Sequence, residues 1–207
     1  MTAPRALLIA TQNQGKLREL EEMLSDLPYR LISLSEYAEI NPIAEVGNTF
    51  TENACMKAQG YARQTQLLTL ADDSGLEVYA LGGAPGVRSA RYAGEGASDA
   101  TRATKLLGEM TSFTGARRKA RFVCVIALSD AAGSILHTAT GVCEGQIAEK
   151  PSGTGGFGYD PIFLPNGYEK TFAELSASTK NQISHRASAL AQTHNFLRVL
   201  TDSSVAG

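Results

Sequence analysis

Short apolar runs alternate in this chain with amphipathic stretches of helical period, and this alternation restricts the fold more than any other feature of the sequence. The run Ala6–Ala10 predicts a buried strand, and the segment Gly15–Leu27 has leucines at helical spacing. A second helix is predicted from Thr49, because Thr49 and Glu52 form a capping-box pattern. The chain therefore begins as strand, loop and helix, as expected for an α/β fold.

The rest of the chain continues this pattern. Two strands are predicted on either side of an acidic turn at Asp72–Gly75, followed by a helix over Asp99–Met110. Two strand-like segments, 120–130 and 134–149, are joined as a hairpin, and a last helix begins at a Ser184 cap. We therefore predict an α/β fold with an elongated mixed β-sheet and flanking helices.

Composition is that of an ordinary globular protein. With 207 residues, of which 43% are hydrophobic, the chain is long enough for one sizeable core, arranged as two lobes around a central cleft. We predict a single domain over 1–207 with a frayed tail at 202–207.

A formal net charge of -2 argues against a nucleic acid polymer as partner, and the apolar runs are too short to span a membrane. The first apolar run also lacks the pattern of a signal peptide, so we predict a cytoplasmic protein. Three cysteines without C-x-x-C spacing argue against disulfides and zinc, so free thiols are expected.

One glycine-rich stretch, GTGGFGYDPIF at Gly153–Phe163, contains the spacing G-x-G-x-x-G of dinucleotide-binding loops. Such a loop lies between a strand and a helix whose N-terminus meets the pyrophosphate. Here Pro151 precedes the glycines, and Pro161 and Pro165 follow them, which forbids a regular helix. The stretch therefore argues against an NAD-dependent oxidoreductase, and its aromatic and glycine residues suit a flat ring such as a nucleobase.

The polar stretch TQNQGK separates the first predicted strand from the first helix and consists of Thr11, Gln12, Asn13, Gln14, Gly15 and Lys16. Its hydroxyl, amides and ammonium at a helix N-terminus suit a phosphate group, although the spacing is not that of a P-loop. The competing interpretation is a polar turn in which Lys16 is merely solvated.

Adjacent carboxylates, Asp72 and Asp73, follow an apolar run in the stretch ADDSG, and Glu45 precedes the second predicted helix. Acids at a strand end can bind Mg²⁺, which prefers oxygen ligands and bridges to phosphates. The alternatives are a type I turn for the two aspartates and an exposed loop position for Glu45.

Cationic and hydrogen-bonding side chains from Lys180, His185 and Arg186 lie at the entry to the last helix, where a surface cluster would look similar. Together the motifs describe a pocket that binds phosphates at one end and holds a divalent ion in the middle. Phe157 and Tyr159 would supply planar faces for a nucleobase at the other end.

With these motifs the sequence resembles the inosine triphosphate pyrophosphatase family, also called dITP/XTP pyrophosphatases. The resemblance lies in stretches that follow one another in order through almost the whole chain, among them TQNQGKLREL, EVGNTFTENA, ADDSGLEVYALGGAPGVRSARYAG, PSGTGGFGYDPIF and KNQISHRASAL. It implies two lobes around a cleft and a homodimer. It also implies hydrolysis of ITP, dITP and XTP to the monophosphate and pyrophosphate with Mg²⁺, or with Mn²⁺ as the alternative.

Matched motif by motif, the resemblance implies roles for individual residues. Thr11–Lys16 would grip the triphosphate, chiefly through Asn13 and Lys16. Glu45 and Asp73 would hold the metal, and Asp73, or Asp72 beside it, would accept the proton of the attacking water. The remaining substrate contacts would come from Ser74, Phe157, Gly158, Tyr159, Asp160, Lys180, His185 and Arg186, with Phe157 stacking on the base.

The implied reaction is in-line attack by a metal-activated water on the α-phosphorus, with pyrophosphate leaving. A pocket that offers only donors to the 6-oxo group of inosine and xanthine would leave the amino group of adenine unpaired. One departure from the family is Arg102, which stands where many relatives have asparagine. We expect the helix that contains Arg102 to lie away from the chemistry.

Two other functions remain open at this point. A pyrophosphatase of the septum-formation-inhibitor-like family looks similar in fold and acts on pyrimidine or modified nucleotides, but GTGGFGYDPIF and ISHR argue against it. A nucleotide-binding sensor without hydrolysis would need a broken acidic set, whereas Glu45, Asp72 and Asp73 are all present.

Overall fold

The computed structural model describes the backbone of residues 4–205 and the side chains as far as Thr201. Within these residues six strands form one sheet in the order β2-β1-β3-β4-β5-β6. The strands are β1 (Arg5–Ile9), β2 (Tyr29–Ser33), β3 (Leu68–Val78), β4 (Lys119–Ser129), β5 (Ile135–Ile147) and β6 (Phe163–Pro165). Strand β1 pairs in parallel with β2 and β3, and β5 pairs antiparallel with β6, so the predicted mixed sheet is confirmed.

The α-helices of the described residues are α1 (Gln14–Leu24), α2 (Phe50–Thr65), α3 (Asp99–Glu109), α4 (Ala177–Ile183) and α5 (His185–Val205). The predicted capping box of α2 is confirmed, because Thr49 accepts from the backbone of Glu52 and the Glu52 side chain accepts from the backbone of Thr49. The predicted Ser184 cap is confirmed too, since Ala187 N–H donates to Ser184 Oγ at 3.1 Å. None of the helices among the described residues is long and apolar enough to cross a membrane.

Strand β3 contains the largest error of the sequence prediction. We predicted a turn at Asp72–Gly75 between two strands, whereas β3 continues without a break through these residues. Asp72 and Asp73 are both buried and have cationic partners, so the backbone has no need to leave the sheet for water. The type I turn is therefore wrong.

Two further elements differ from the prediction. Strand β2 was not predicted, although its sequence YRLIS is rich in strand-forming residues. Helix α5 continues to Val205, into the tail that we predicted to be frayed, and residues 206–207 lie outside the described residues.

The chain divides into two compact units, in keeping with the two predicted lobes. Unit 1 comprises 1–73, 124–140 and 189–207, and unit 2 comprises 74–123 and 141–188. The core of unit 1 packs α1 and α5 with β1, β3 and β4 through aliphatic side chains such as Leu7, Leu20 and Leu197. The single-domain interpretation and the cleft stay predictions.

Unit 2 has an aromatic core of its own. The Phe122 ring lies 4.7 Å from Phe163 and 6.0 Å from Phe172, centroid to centroid, and the Phe163 and Phe172 rings are 5.1 Å apart. Such pairs add about 0.5–1.5 kcal/mol each to the burial of the rings. This core supports the segments 153–163 and 177–188, which contain most of the predicted base contacts.

The cysteines are free, as predicted. Cys124 and Cys143 are buried and Cys55 is partly buried. Burial raises the pKa of the Cys143 thiol to about 11, so that thiol is protonated and unreactive at neutral pH.

Candidate active site

Lys16 and Asp72 form a buried ion pair in unit 1. Lys16 Nζ lies 2.9 Å from Asp72 Oδ2, and the carboxylate of Asp72 has no exposed surface. Lys16 belongs to the first turn of α1, which follows β1, and Asp72 belongs to the neighbouring strand β3. The alternative of a merely solvated Lys16 is therefore wrong, and α1 and β3 are linked by charge at this point.

Asp73 belongs to a second group of charges in unit 1. Lys57 Nζ, from α2, lies 2.8 Å from Glu45 Oε1 and 3.4 Å from Asp73 Oδ1. Burial alone would lower the pKa of the Lys57 ammonium, but the carboxylates of Asp73, Asp72 and Glu45 outweigh burial and raise that pKa. Burial also raises the pKa of the Asp73 carboxyl, against the opposing effects of Lys57 and Lys16. Glu45 is thus part of a charged cluster and is not an isolated loop residue.

The Asn53 side chain fixes the orientation of the Asp73 carboxylate. Asn53 is fully buried on α2, its Nδ2 donates to Asp73 Oδ2 at 3.1 Å, and its Oδ1 accepts from Gly47 N–H at 2.8 Å. The bond from Gly47 determines which end of the amide faces Asp73. A Cβ added to Gly47 would lie 2.7 Å from Asn53 Oδ1, so only glycine fits here. Asn53 therefore connects the loop that contains Glu45 to strand β3.

The predicted phosphate-binding stretch 11–16 has a partly different role in the structure. Asn13 is the N-cap of α1, and its Oδ1 accepts from Gly15 N–H at 2.8 Å and from Lys16 N–H at 3.1 Å. Thr11 Oγ1 accepts from Asn13 N–H at 3.2 Å, whereas Gln12 and Gln14 are exposed. Two of the amides that could bind an anion at this helix start are therefore used by the cap.

The residues near Asp73 suit a magnesium ion by their chemistry. The carboxylates of Glu45 and Asp73 already converge on one cationic atom, Lys57 Nζ. With Asp72 and Lys16 included, three carboxylates face two ammonium groups, which leaves one negative charge in excess. Among the described residues no group of three or more His, Cys, Asp or Glu side chains is arranged for a metal. This donor set fits Mg²⁺, which takes one or two carboxylates and completes its shell with water and phosphate oxygens.

In unit 2, Lys180, His185 and Arg186 are buried, so the surface-cluster interpretation is wrong. Arg186 donates to Ser74 Oγ at 3.1 Å, and its guanidinium carbon lies 5.7 Å from the centroid of the Phe157 ring. Lys180 Nζ lies 4.7 Å from the same centroid. Two cations thus face one aromatic ring, which is an arrangement of favourable cation–π contacts.

The glycine-rich loop holds Phe157 through a buried carboxylate. Asp160 accepts from Phe157 N–H at 2.8 Å and from Lys180 Nζ at 2.5 Å. Gly156 has φ +70°, and a Cβ on it would overlap the Asp160 carboxylate. That glycine therefore serves the internal packing of the turn, and a short 3-10 helix at Asp160–Ile162 follows where a dinucleotide fold would have a long helix.

Two of the predicted base-binding residues, Tyr159 and His185, contact other side chains and backbone of unit 2. Tyr159 is buried and its hydroxyl donates to the carbonyl of Ser89 at 2.9 Å, and burial raises the pKa of that hydroxyl. The His185 ring stacks on Phe122 at 4.6 Å. Tyr159 and His185 are therefore held by contacts within unit 2.

Sequence reasoning missed Lys57 and Asn53, which contact Asp73. Both lie on the buried face of α2, four residues apart, among Ala54, Ala58 and Tyr61. Two polar residues at i and i+4 within an apolar helix face were the available signal, because a buried amide and ammonium need partners.

The chain belongs to the Ham1 family, whose sequence profile matches residues 7–196. It is 50% identical over 184 residues to the dITP/XTP pyrophosphatase of Shouchella clausii, covering 89% of this chain and 92% of that protein. The structure is similar to that of a HAM1 protein from Coxiella burnetii, with a TM-score of 0.84, 46% identity, and 96% and 99% of the two chains covered. It is also similar to the Staphylococcus aureus Ham1 protein, with a TM-score of 0.82, 42% identity, and 94% and 98% covered.

Proposed function

We propose that this chain is a nucleoside triphosphate pyrophosphohydrolase that converts dITP, ITP and XTP to the monophosphate and pyrophosphate. The names of its relatives support this substrate class, and the family membership supports the enzyme class. The observation that supports it most strongly is the charge cluster of Lys16, Lys57, Asp72, Asp73 and Glu45, of which Lys57, Asp72 and Asp73 are buried. A fold gains little from burying so many charges, whereas phosphate chemistry needs them.

Magnesium is the proposed cofactor, held by Glu45 and Asp73. When bound, Mg²⁺ supplies neutralisation of phosphate charge and activation of water in sites of this kind. Lys16 and Lys57, which pair with the carboxylates, would add positive charge for the phosphate oxygens.

Asp73 is the proposed proton acceptor. Its carboxylate is oriented by Asn53, whose Nδ2 donates to Asp73 Oδ2 at 3.1 Å. Asp72 stands beside it in sequence, but its carboxylate is fully buried and pairs with Lys16. We therefore assign proton transfer to Asp73 and the positioning of Lys16 to Asp72.

Unit 2 supplies the proposed contacts to the base. Phe157 would stack on the purine, and Arg186, Lys180 and His185 would donate hydrogen bonds around the 6-oxo group. These side chains are donors when charged, so an adenine amino group would stay unpaired. One unsatisfied buried group costs about 1–3 kcal/mol, which is enough to disfavour ATP.

The experiment is a comparison of purified substrates. ITP, dITP, XTP, GTP, ATP, dTTP and UTP are incubated with the protein and Mg²⁺, and the nucleoside monophosphate and pyrophosphate are quantified. We expect rapid release of both products from dITP, ITP and XTP, and none when EDTA is present. Preference for dTTP or UTP would favour the septum-formation-inhibitor-like activity, and binding without products would indicate a sensor.

Three further properties belong to the same proposal. We propose a homodimer, a cytoplasmic location and no nucleic acid polymer as partner. Light scattering coupled to size-exclusion chromatography tests the dimer, since a mass near one chain would contradict it.

A further inference from the structure

The start of α3 contacts the turn that contains Phe157. Asp99, in the first turn of α3, accepts from Gly158 N–H through Oδ2 at 2.6 Å. Its other oxygen, Oδ1, pairs with the guanidinium of Arg102 one turn later. This contact is with the turn that contains predicted base-binding residues, and the expectation that the helix lies away from the chemistry stays a prediction. Both residues and the turn belong to unit 2.

Arg102 holds the Asp99 carboxylate in place. The same guanidinium donates to the carbonyl of Ala90 at 2.9 Å and to that of Ala97 at 2.5 Å. Arg102 thus binds three separate acceptors through one planar group, which restricts the side chain far more than a single ion pair would. Its side chain is 17% exposed, whereas that of Asp99 is 46% exposed.

Helix capping does not explain Asp99. Ser98 is the N-cap of α3 and accepts from Thr101 N–H at 3.1 Å. The cap is therefore complete without the Asp99 carboxylate, which reaches across to the turn.

The turn itself is held by two carboxylates. Phe157 N–H donates to Asp160 and Gly158 N–H donates to Asp99, so the two successive amides at the stacking residue both have carboxylate acceptors. Asp160 also pairs with Lys180, whose ammonium faces the Phe157 ring. Asp160 and Asp99 therefore fix the backbone from which Phe157 projects.

We propose that Asp99 and Arg102 are positioning residues that set the Phe157 ring for a purine base and so determine affinity for the base end of the substrate. This inference rests on the proposed function for its substrate. Loss of the Asp99 carboxylate frees Gly158 N–H and loosens the turn. Loss of the Arg102 guanidinium leaves Asp99 free to rotate away from Gly158.

The first test reports the turn without any substrate. The chain has no tryptophan, so Phe157→Trp introduces a single tryptophan at the turn, which can be excited selectively over the tyrosines. Acrylamide quenching of this tryptophan is compared with and without Asp99→Ala. We expect the quenching constant to rise about twofold with Asp99→Ala, because the turn opens more often. Glu109→Gln is the matched control, since Glu109 ends α3 and accepts from Tyr92. Equal quenching in the Asp99→Ala and control backgrounds would overturn the proposal.

The second test uses native Phe157 and therefore does not depend on the tryptophan variant. For Asp99→Ala we expect KM for dITP to rise about five- to twentyfold with kcat changed by less than about threefold, as for lost ground-state binding. Inhibition by inorganic tripolyphosphate, which has no base, should be unchanged. Arg102→Ala should show the same pattern at smaller size, and Arg102→Lys should recover part of it. An unchanged KM for dITP would contradict the proposed role of Asp99 and Arg102. Inhibition by tripolyphosphate that weakened as much as dITP binding would contradict it too.

Failure of the proposed function gives a different result. If the wild-type protein released no pyrophosphate from dITP, the substrate assignment would be wrong. The quenching comparison would still decide whether Asp99 positions the turn.

Discussion

The two charged regions of this protein are built in different ways. In unit 1, Lys16 and Lys57 meet carboxylates supplied by distant parts of the chain, and the group has one negative charge in excess. In unit 2, Lys180 and Arg186 face the ring of Phe157, and Lys180 Nζ also lies 5.6 Å from the centroid of the Phe172 ring in the core. Carboxylate–ammonium contacts of the kind seen in unit 1 can be exchanged for substrate or metal contacts, whereas in unit 2 the backbone of Phe157 and Gly158 is held by Asp160 and Asp99. The first region suits chemistry on phosphates and the second suits recognition of a flat base.

The largest expected effect comes from removing the proposed base in unit 1. Asp73→Asn keeps the size of the side chain but cannot accept the proton, so kcat for dITP should fall by about 10²- to 10⁴-fold. Steady-state kinetics measure this change, and circular dichroism checks that the fold is intact. Asp26→Asn is the control, because Asp26 also pairs with side chains of unit 1, with Arg198 as an ion pair and with His194 Nε2 at 2.9 Å. Turnover near the wild-type rate in Asp73→Asn would mean that another group takes the proton.

A smaller effect is expected from the residue that orients Asp73. Asn53→Ala removes the bond to Asp73 and leaves Gly47 N–H without its acceptor. Loss of such supporting contacts lowers metal affinity or activity by about 10- to 100-fold, so the Mg²⁺ concentration for half-maximal rate should rise. A Mg²⁺ titration of the rate, with binding of Mn²⁺ followed by electron paramagnetic resonance, measures both. Asn41→Ala, at an exposed position of unit 1, should leave both values unchanged.

The region of unit 2 that is proposed to recognise the base is tested by removing the ring of Phe157. Phe157→Ala should raise KM for dITP by about 5- to 150-fold, because base stacking is worth about 1–3 kcal/mol, with little change in kcat. Tyr168→Ala removes an exposed aromatic ring of the same unit and serves as control. If Phe157→Ala lowered kcat and left KM unchanged, the division between chemistry and recognition would be wrong.

The smallest effect concerns stability and involves a residue that belongs to neither charged region. His137 on β5 stacks on Phe196 at 4.7 Å, and burial lowers its pKa below the ordinary value of 6.5. The unfolded chain therefore binds a proton on this residue more readily, and stability is lost as pH falls from the unfolded pKa through the folded one. His137→Phe keeps the stacking without this loss, so its melting temperature should drop less between about pH 7 and pH 5. Equal drops in melting temperature in the wild-type protein and in His137→Phe would contradict the lowered pKa of His137.

Local sequence signals predicted the elements that local interactions determine. The Thr49 capping box, helix α3 and the Ser184 cap depend on residues within one or two turns of each other, and the structure has all three. Asp72–Gly75 was mistaken for a turn, because its composition is that of a turn. The partners that keep it in a strand, Lys16 and Lys57, come from other parts of the chain.

The candidate site was predicted unevenly for the same reason. Motifs identified Lys16, Asp73 and Phe157, whose residue types suggest phosphate, metal and base. They did not identify Asn53, whose importance comes from two bonds to residues separated from it in sequence. Arg102 was noticed only as a departure from relatives. Its contact through Asp99 to Gly158 joins residues that are far apart in the sequence, so it could be found only in the structure.

The central claim is the proposed attack of water on the α-phosphorus of dITP, with Asp73 as the proposed proton acceptor. Hydrolysis of dITP in isotopically labelled water, followed by mass spectrometry of both products, tests it most directly. The account predicts that the label enters the nucleoside monophosphate and that the pyrophosphate stays unlabelled. Label in the pyrophosphate, or release of inorganic phosphate with a nucleoside diphosphate, would contradict it.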